Sequence, residues 1–465
     1  MSFNGFLFCV AGAVGFVLCV NPDLSHAQDS FLQSSTDFQK PEVQGLQKQI
    51  DNLKADVEET VDGDYGESDT TTSQNSVVQT AKKEGLNLKW TPGPVLSLND
   101  DQFTLQFNGR VTYDYSIINF EDGDGSARPT DKIKGINLRN LNFGFRGKLF
   151  SDFNYRISAS FLDNDVEIRL AFVDYQVGNT TIIAGQTRTY TTLDKLIPPT
   201  NHAFAERAAF INALRINQRV GAAVSHHGDN WSVSGGYFFE DASNDLSTED
   251  DNNITSGRIT YSPRFENGVG LHFGVSAFHR NHRGGGFDNR YRARPFAKRG
   301  NLRPLTSEAF NITSENFYGG EFVATYKSFA IQAEYGNVNN KLSDMEVLTS
   351  HDPAYHGGYI EVSFFPTGGQ RVIDGTDGRF NRVDIANPVG NGGMGEVRLA
   401  ARYDVADFTH ETYGRKQNSY ILAADWYLNR TLKLQANYAH TIVRNALNFK
   451  TDIIDTFNLR FMFNF

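Results

Sequence analysis

Basic side chains are the residues of this chain whose type and spacing best suit a chemical role. The segment from Arg188 to Arg219 carries five of them against only two carboxylates, Asp194 and Glu206. Its basic residues are Arg188, Lys195, Arg207, Arg215 and Arg219. A guanidinium group stays protonated and donates paired hydrogen bonds, which suits it to phosphate and related oxyanions. The step Ile197-Pro198-Pro199 adds a stiff bend, so we expect this segment to hold its positive charges in a defined place.

The elements that must position these side chains are strands with a two-residue alternation. In the last nine residues the odd positions are large and apolar, whereas Asn458, Arg460 and Asn464 occupy even positions. A similar pattern runs from Phe103 to Ile117, which exceeds the roughly 9 to 11 residues that a tilted strand needs to cross a bilayer. Successive side chains of a strand point to opposite faces. We therefore expect one face of each strand to contact lipid and the other to face a wet interior.

Composition restricts the fold to one class. Mean hydropathy is −0.43, and the one long apolar run is Gly5 to Val20, so no later segment has the roughly 20 apolar residues of a transmembrane helix. Candidate strands begin near Phe103, Ile136, Asp152, Glu167, Thr180, Arg219, Trp231, Thr255, Gly270, Phe317, Phe329, Tyr355, Gly395, Asn418, Thr431 and Ile453. The sequence therefore predicts an all-β fold, a sixteen-stranded antiparallel transmembrane β-barrel with both termini in the periplasm.

Connections between the predicted strands alternate between short and long, as expected for short periplasmic turns and longer external loops. The long connections are residues 189–218, 240–254, 281–315 and 336–354. The segment from Pro366 to Met394 is an exception, because the strand count places it on the periplasmic side although it is long. Periodicity offers no explanation for it.

The alternation also turns strand arginines toward the barrel interior. These inward basic residues are Arg110, Arg156, Arg169, Arg188, Arg219, Arg398, Arg402, Lys433 and Arg460. A charge on the lipid face near the midplane would cost about 2 to 4 kcal/mol, which favours the inward assignment. Two interpretations stay open. The arginines line a path for anions, or they pair with acids such as Asp114, Glu167, Glu396 and Asp425 and brace the wall.

The loop between residues 281 and 315 is strongly basic. It holds seven basic residues against Asp288, Glu308 and Glu315, a net charge of +4. The members that we expect to form an outer funnel for anions are Arg290, Arg292, Arg294, Lys298 and Arg299. An alternative is that these side chains bind the phosphates of lipopolysaccharide in the surrounding outer membrane.

The N-terminal region divides into three predicted parts before the barrel at 95–465. Residues 1–27 are typical of a secretory signal peptide, and both cysteines, Cys9 and Cys19, lie within it. Residues 28–60 predict a short periplasmic coiled coil, because apolar residues from Val43 to Val57 step alternately by three and four. A frayed amphipathic helix is the alternative. Residues 61–94 are rich in Asp, Gly, Ser and Thr and predict a flexible periplasmic linker.

Several stretches together resemble one protein family, the phosphate-selective porins O and P. They are Ile168 to Tyr175, Gly185 to Arg219, Val362 to Gly369 with Gly395 to Tyr403, and Ala423 to Asn437. The resemblance implies a trimeric outer-membrane barrel of a Gram-negative bacterium, a third external loop folded into the lumen, and a pore lined by basic residues that pass anions. In the second strand the family commonly has a doubled arginine followed by a third. Here only Arg139 matches, so we expect a weaker anion preference rather than tight phosphate specificity.

The predicted function is an anion-selective diffusion channel for small anions such as phosphate. Its predicted path comprises Arg110, Arg139, Arg156, Arg169, Arg188, Lys195, Arg207, Arg215 and Arg219. The alternative is a general or differently selective porin, for example for sugars. We expect no enzymatic activity, no cofactor and no metal, because no strand pairs Ser and His beside an acid and the histidines are loosely spaced. The formal charge of −10 argues against nucleic acid as a partner.

One further expectation concerns assembly. The C-terminal Phe465 ends an aromatic strand that must pair with the first strand, because a barrel in lipid tolerates no open edge. We therefore expect Phe465 to act as the signal for the barrel-insertion machinery.

Overall fold

The computed structural model describes residues 86–90, 93–98, 101–121, 132–150, 152–162, 165–239, 252–282, 287–344 and 351–465. The predicted signal peptide and coiled coil, and the linker as far as residue 85, lie outside these ranges. The end of the predicted linker contains a short strand, Leu86–Trp90, which pairs with Pro94–Leu98. The strand Pro94–Leu98 also pairs, in antiparallel orientation, with the first barrel strand.

Sixteen antiparallel strands form a closed barrel, as predicted. In chain order they are β1 Phe103–Glu121, β2 Lys132–Leu149, β3 Phe153–Leu162, β4 Asp165–Val177, β5 Thr180–Arg188, β6 Gln218–His227, β7 Trp231–Phe238, β8 Asn253–Tyr261, β9 Val269–Asn281, β10 Phe310–Tyr326, β11 Phe329–Leu342, β12 Ala354–Phe364, β13 Glu396–Asp407, β14 Arg415–Tyr427, β15 Leu432–Asn445 and β16 Thr451–Asn464. Each strand pairs with the next, and β16 pairs with β1. Most strands begin within a few residues of the predicted positions.

The two clearest differences concern the external ends of β10 and β11. Strand β10 begins at Phe310, well before the predicted start near Phe317, and β11 continues to Leu342, which shortens the predicted loop 336–354. These ends are rich in asparagine and serine, which are depleted in strands on average. They extend because they pair with each other and with the short strand Phe287–Asn289.

The alternation in β16 matches its predicted environment. Phe457, Leu459 and Phe461 are exposed on the outer surface, whereas Asn458 and Arg460 are buried toward the interior. The barrel closes at Phe465, which exchanges two backbone hydrogen bonds with Gly109, of 2.9 and 3.1 Å. A side chain at residue 109 would overlap the ring of Phe465 and would have to displace it.

The connection between β5 and β6 folds into the barrel. It contains two short helices, α1 Leu193–Leu196 and α2 Ala209–Ala213, and we call residues 189–217 the inward loop. Phe210 of α2 is fully buried and packs near Phe317 of β10 and Phe408 after β13. The barrel interior therefore has a hydrophobic core of its own on one side.

The long segment between β12 and β13 also folds inward, from the periplasmic end, and we call residues 365–395 the periplasmic segment. Its short strands Ile373–Asp374 and Arg379–Phe380 pair with each other. Its Arg371 binds Glu361 on β12 at 3.0 Å, and its Phe380 carbonyl accepts a hydrogen bond from Asn201 of the inward loop. The segment is therefore long because it fills part of the lumen.

A further pair of short strands, Arg292–Ala293 and Leu305–Thr306, lies in the loop between β9 and β10. Among the described residues, no helix is long and apolar enough to cross a membrane.

Candidate functional site

Wall carboxylates hold both helices of the inward loop by their N-terminal backbone groups. The N–H of Leu193 donates to Glu321 at 3.0 Å, and that of Asp194 donates to Glu334 at 2.6 Å. The N–H of Ala209 donates to Asp404 at 3.1 Å. The first N–H groups of a helix have no partner within the helix, so these three contacts satisfy them and fix where the loop lies.

Basic wall residues hold the middle of the same loop by its carbonyl groups. Arg398 donates to the carbonyl of Asn201 at 3.1 Å, Lys433 donates to that of His202 at 2.7 Å, and Arg460 donates to that of Ala205 at 2.7 Å. The inward loop is thus fastened to the wall that runs from β10 to β16.

These basic wall residues are also paired with carboxylates. Arg398 and Lys433 both contact Asp425 on β14. Arg460 forms a bidentate pair with Asp114, with both N–O distances at 2.7 Å. Arg402 contacts Glu361 at 2.7 Å and Asp194 at 3.5 Å. For this half of the barrel, the interpretation of inward arginines as wall braces is the one that fits.

The opposite side of the inward loop faces strands β1 to β5 across a cavity of about 440 Å³. Nine basic side chains line it: Arg110, Arg139, Arg156, Arg169, Arg188, Lys195, Arg207, Arg294 and Arg460. Of the residues that line this cavity, the one carboxylate is Glu206. We call this space the central cavity. Its strong positive charge stands in contrast to the acidic chain as a whole.

Some of these charges are neutralised and some are not. Glu206 lies 3.0 Å from Arg139 and 3.8 Å from Arg460. Arg169 has a half-exposed contact with Glu167 at 3.2 Å. By contrast, Arg110 donates to the neutral side chain of Asn464 at 2.8 Å.

The other cavity residues differ in the same way. Arg188 donates to the carbonyl of Leu196 at 3.1 Å. Within the described ranges, no carboxylate forms an ion pair with Arg110, Arg156, Arg188 or Lys195. The buried Nε of Arg156 has no hydrogen-bond partner among the residues that the structure describes. Uncompensated guanidinium groups next to one open space are arranged to receive an anion.

Comparison with known proteins shows which family this chain belongs to. The family model described as phosphate-selective porin O and P matches residues 105–465, which span the barrel except for the first two residues of β1. The chain belongs to this family. An uncharacterized protein of Caulobacter vibrioides is 28% identical over 361 residues, which cover 76% of this chain and 71% of the relative.

Two solved structures are similar to this porin. OprB of Pseudomonas putida is similar with a TM-score of 0.51 and 8% identity, over 78% of this chain and 94% of that protein. An anion-selective porin from Comamonas acidovorans is similar with a TM-score of 0.47 and 13% identity, over 78% of this chain and all of that protein. The porin is an outer-membrane channel of a Gram-negative bacterium.

The structure brings together seven of the nine basic residues predicted for the anion path. Arg110, Arg139, Arg156, Arg169, Arg188, Lys195 and Arg207 all line the central cavity. The remaining two do not line it. Arg215 is exposed with φ of 49°, and Arg219 donates to the carbonyl of Phe239 at 3.0 Å.

The predicted outer-funnel residues separate in space. Arg294 lines the central cavity. Nothing in the local sequence distinguishes Arg294 from the other basic residues of this loop. Arg299 donates to the carbonyl of Ile136 at 3.0 Å and covers Gly135. Arg290 and Arg292 are exposed, and Lys298 is half-buried. Arg460 faces inward as predicted, and it lines the cavity next to Ala205 of the inward loop, whose carbonyl accepts its hydrogen bond.

Electrostatics within the inward loop depend on the same cluster. Burial, and then the positive charges of Arg207, Arg169 and Arg188, lower the pKa of Lys195 to about 7. Burial would raise the pKa of Glu206, but the guanidinium groups of Arg139 and Arg460 outweigh it and hold that pKa below its ordinary value. At neutral pH Lys195 is therefore close to its midpoint of titration, whereas Glu206 is ionised.

One arrangement of the wall was not predicted, because its Ser, His and acid come from three different segments rather than from one strand. Ser262 lies 2.8 Å from Nδ1 of His272, and Nε2 of His272 lies 2.8 Å from Glu321. The three groups are buried, and Glu321 is also held by Arg258 and by the N–H of Leu193. The chain of hydrogen bonds thus orients the carboxylate that anchors α1. The family and the fold are typical of a channel rather than an enzyme.

Proposed function

We propose that this porin is an anion-selective diffusion channel and that phosphate-type oxyanions are its preferred cargo. The observation that carries the proposal is the lining of the central cavity, with nine basic side chains against one carboxylate. Rings of basic side chains are a known basis of anion selectivity in pores. In a confined space of low dielectric, these charges attract anions far more strongly than they would in water.

The arrangement of the cavity supports a path rather than a single trap. Arg294 comes from the loop between β9 and β10 on the external side, whereas Arg110 lies near the periplasmic closure at Phe465. Anions move from one guanidinium to the next if no single site holds them too tightly. Arg294 also adds charge near Arg139, where the second strand lacks the further arginines common in the family.

The outer loop and the N-terminal region support the channel in two further ways. Exposed Arg290 and Arg292 act as a funnel for anions or bind lipopolysaccharide phosphates. The predicted coiled coil at 28–60 helps to hold a homotrimer, in which three copies are kept at high effective concentration. Mass measurement of the mature porin in several mild detergents tests this assembly, and monomers in all of them would exclude it.

The reversal potential of the porin in a planar bilayer tests the proposed selectivity. In a tenfold chloride gradient we expect a potential of the sign that anion permeation produces, and phosphate should block the chloride current. A potential near zero, with no block by phosphate, would instead indicate a general or sugar-selective porin.

A further inference from the structure

The imidazole of His202 contacts both an arginine of the central cavity and a carboxylate behind it. His202 and Arg207 line the central cavity, and His202 is buried. Nε2 of His202 lies 2.8 Å from Nη1 of Arg207. The same ring faces Asp194, with Nδ1 at 3.6 Å from the carboxylate Oδ1 and Nε2 at 3.0 Å from the backbone carbonyl. The ring thus touches both members of an ion pair that has not closed.

Hydrogen-bond chemistry fixes the proton of His202. A guanidinium stays protonated and only donates, so Nε2 accepts from Arg207 and the ring proton lies on Nδ1, toward the carboxylate of Asp194. An imidazolium would instead donate from Nε2 to the Asp194 carbonyl and repel Arg207. Burial, and then the positive charges of Arg207 and Arg402, lower the pKa of His202 well below its ordinary value. The ring is therefore a neutral acceptor at neutral pH.

Asp194 has a carboxylate oxygen that is not used. Its Oδ1 contacts Arg402 at 3.5 Å, whereas its Oδ2 is buried and has no hydrogen-bond partner among the described residues. Nη1 of Arg207 lies 3.8 Å from this Oδ2, which is beyond hydrogen-bond reach. A buried carboxylate oxygen without a donor costs free energy. Arg207 would therefore move toward Asp194 if its contact with His202 were lost.

The other carboxylates that act on Arg207 are already bound elsewhere. They are Glu206 and Glu334. Glu206 lies 3.0 Å from Arg139, and Glu334 accepts the N–H of Asp194 at 2.6 Å. Of these three carboxylates, Asp194 is the one with an oxygen free to neutralise Arg207.

We propose that His202 is a positioning residue for anion transport, which holds the guanidinium of Arg207 at the central cavity and keeps it from closing onto Asp194. This inference deepens the proposed function and rests on it. A guanidinium bound to a neutral acceptor keeps its charge available to an anion, whereas a close ion pair with a carboxylate cancels that charge. Loss of the acceptor would thus remove one positive charge from the cavity without removing an arginine.

Phosphate block of the chloride current in a planar bilayer, at one fixed pH, tests this role. H202L removes the acceptor with little change in volume, and we expect the block to weaken about tenfold, the effect of losing one hydrogen bond to a charged group. H202Q is the matched control. Its amide offers an oxygen to Arg207 and an N–H to Asp194, so its block should stay close to that of the wild type. Heat-modifiable mobility will show that both barrels are folded.

Two further backgrounds distinguish positioning from a structural role. In R207Q the residue that His202 positions is gone, so adding H202L should have no further effect. In D194N a neutral amide replaces the carboxylate that attracts Arg207, so adding H202L should weaken the block only slightly. A merely structural role of His202 would give the same loss in all three backgrounds.

The outcomes separate the two proposals. Unchanged or stronger block in H202L, a loss in H202Q equal to that in H202L, or an equal effect of H202L in all three backgrounds would overturn the role of His202 while anion selectivity stands. A wild type without anion preference would overturn the proposed function, and the role of His202 with it.

Discussion

Arg146 of β2 and Arg156 of β3 are direct partners across two neighbouring strands, on the inner face of the barrel. Arg146 is further held by Gln106 at 2.8 Å. Like charges directly opposite each other destabilise a sheet. The porin keeps two guanidinium groups in this position, which the proposed anion transport would explain and stability would not.

Substitution of Arg156 should separate function from stability. We expect R156Q to reduce the anion preference, because it removes a guanidinium that has no carboxylate partner among the described residues. Thermal resistance at low salt should be unchanged or rise slightly, by about 0.2 to 1 kcal/mol, because the repulsion from Arg146 is lost. Reversal potential and heat-modifiable mobility measure the two effects. The matched control is R169Q, since Arg169 lines the same cavity but is paired with Glu167. A clear loss of stability in R156Q would contradict this explanation.

The pKa of Lys195, lowered to about 7, predicts a pH-dependent selectivity. Below pH 7 the ammonium group is protonated and adds one positive charge to the central cavity, and above pH 7 that charge is lost. Anion preference should therefore fall as pH rises from about 6 to 8. K195R keeps its charge over this range, so its anion preference should stay at the high value of the wild type at low pH. K195Q has no charge here, so its anion preference should stay at the low value of the wild type at high pH. Identical pH profiles in all three proteins would exclude Lys195 as the titrating group.

Release of the inward loop should widen the pore. Asp404 accepts the N–H of Ala209 at the start of α2, and D404A leaves this buried donor without a partner at a cost of about 1 to 3 kcal/mol. We expect greater conductance, more current noise and weaker anion preference, and faster cleavage of residues 189–217 by protease. D407A is the control, because Asp407 contacts Lys416 and Thr409 at the external rim rather than the loop. Equal protease sensitivity in both variants would show that this contact does not hold the loop.

Deletion of Phe465 should impair assembly. The residue makes two backbone hydrogen bonds with Gly109, and its ring lies where a side chain at residue 109 would be. We expect the deletion to lower the yield of inserted barrel, and G109A to do so by displacing the same ring. G178A is the control, since Gly178 has open space around it in a periplasmic turn, although its φ of 55° carries a local strain cost. Wild-type yield and heat-modifiable mobility after deletion of Phe465 would contradict the prediction.

The sequence by itself determined the strands of this porin and the direction of their side chains. Alternation is a local property, since a period of two places Phe461 outside and Arg460 inside whatever the neighbouring strands are. The same rule predicted that Arg110 and Arg156 face inward. It failed at the external ends of β10 and β11, where pairing with distant residues extends polar sequence into strands.

Tertiary structure alone decided which inward arginines are neutralised. Arg460 meets Asp114 across the barrel closure, and Arg402 meets Glu361 on β12, whereas Arg156 meets no carboxylate in the described chain. Such pairings join residues far apart in the sequence, so no local pattern reports them. The periplasmic segment was unexplained for the same reason. It has no periodicity, because irregular backbone inside a lumen is held by individual contacts such as that of Arg371 with Glu361.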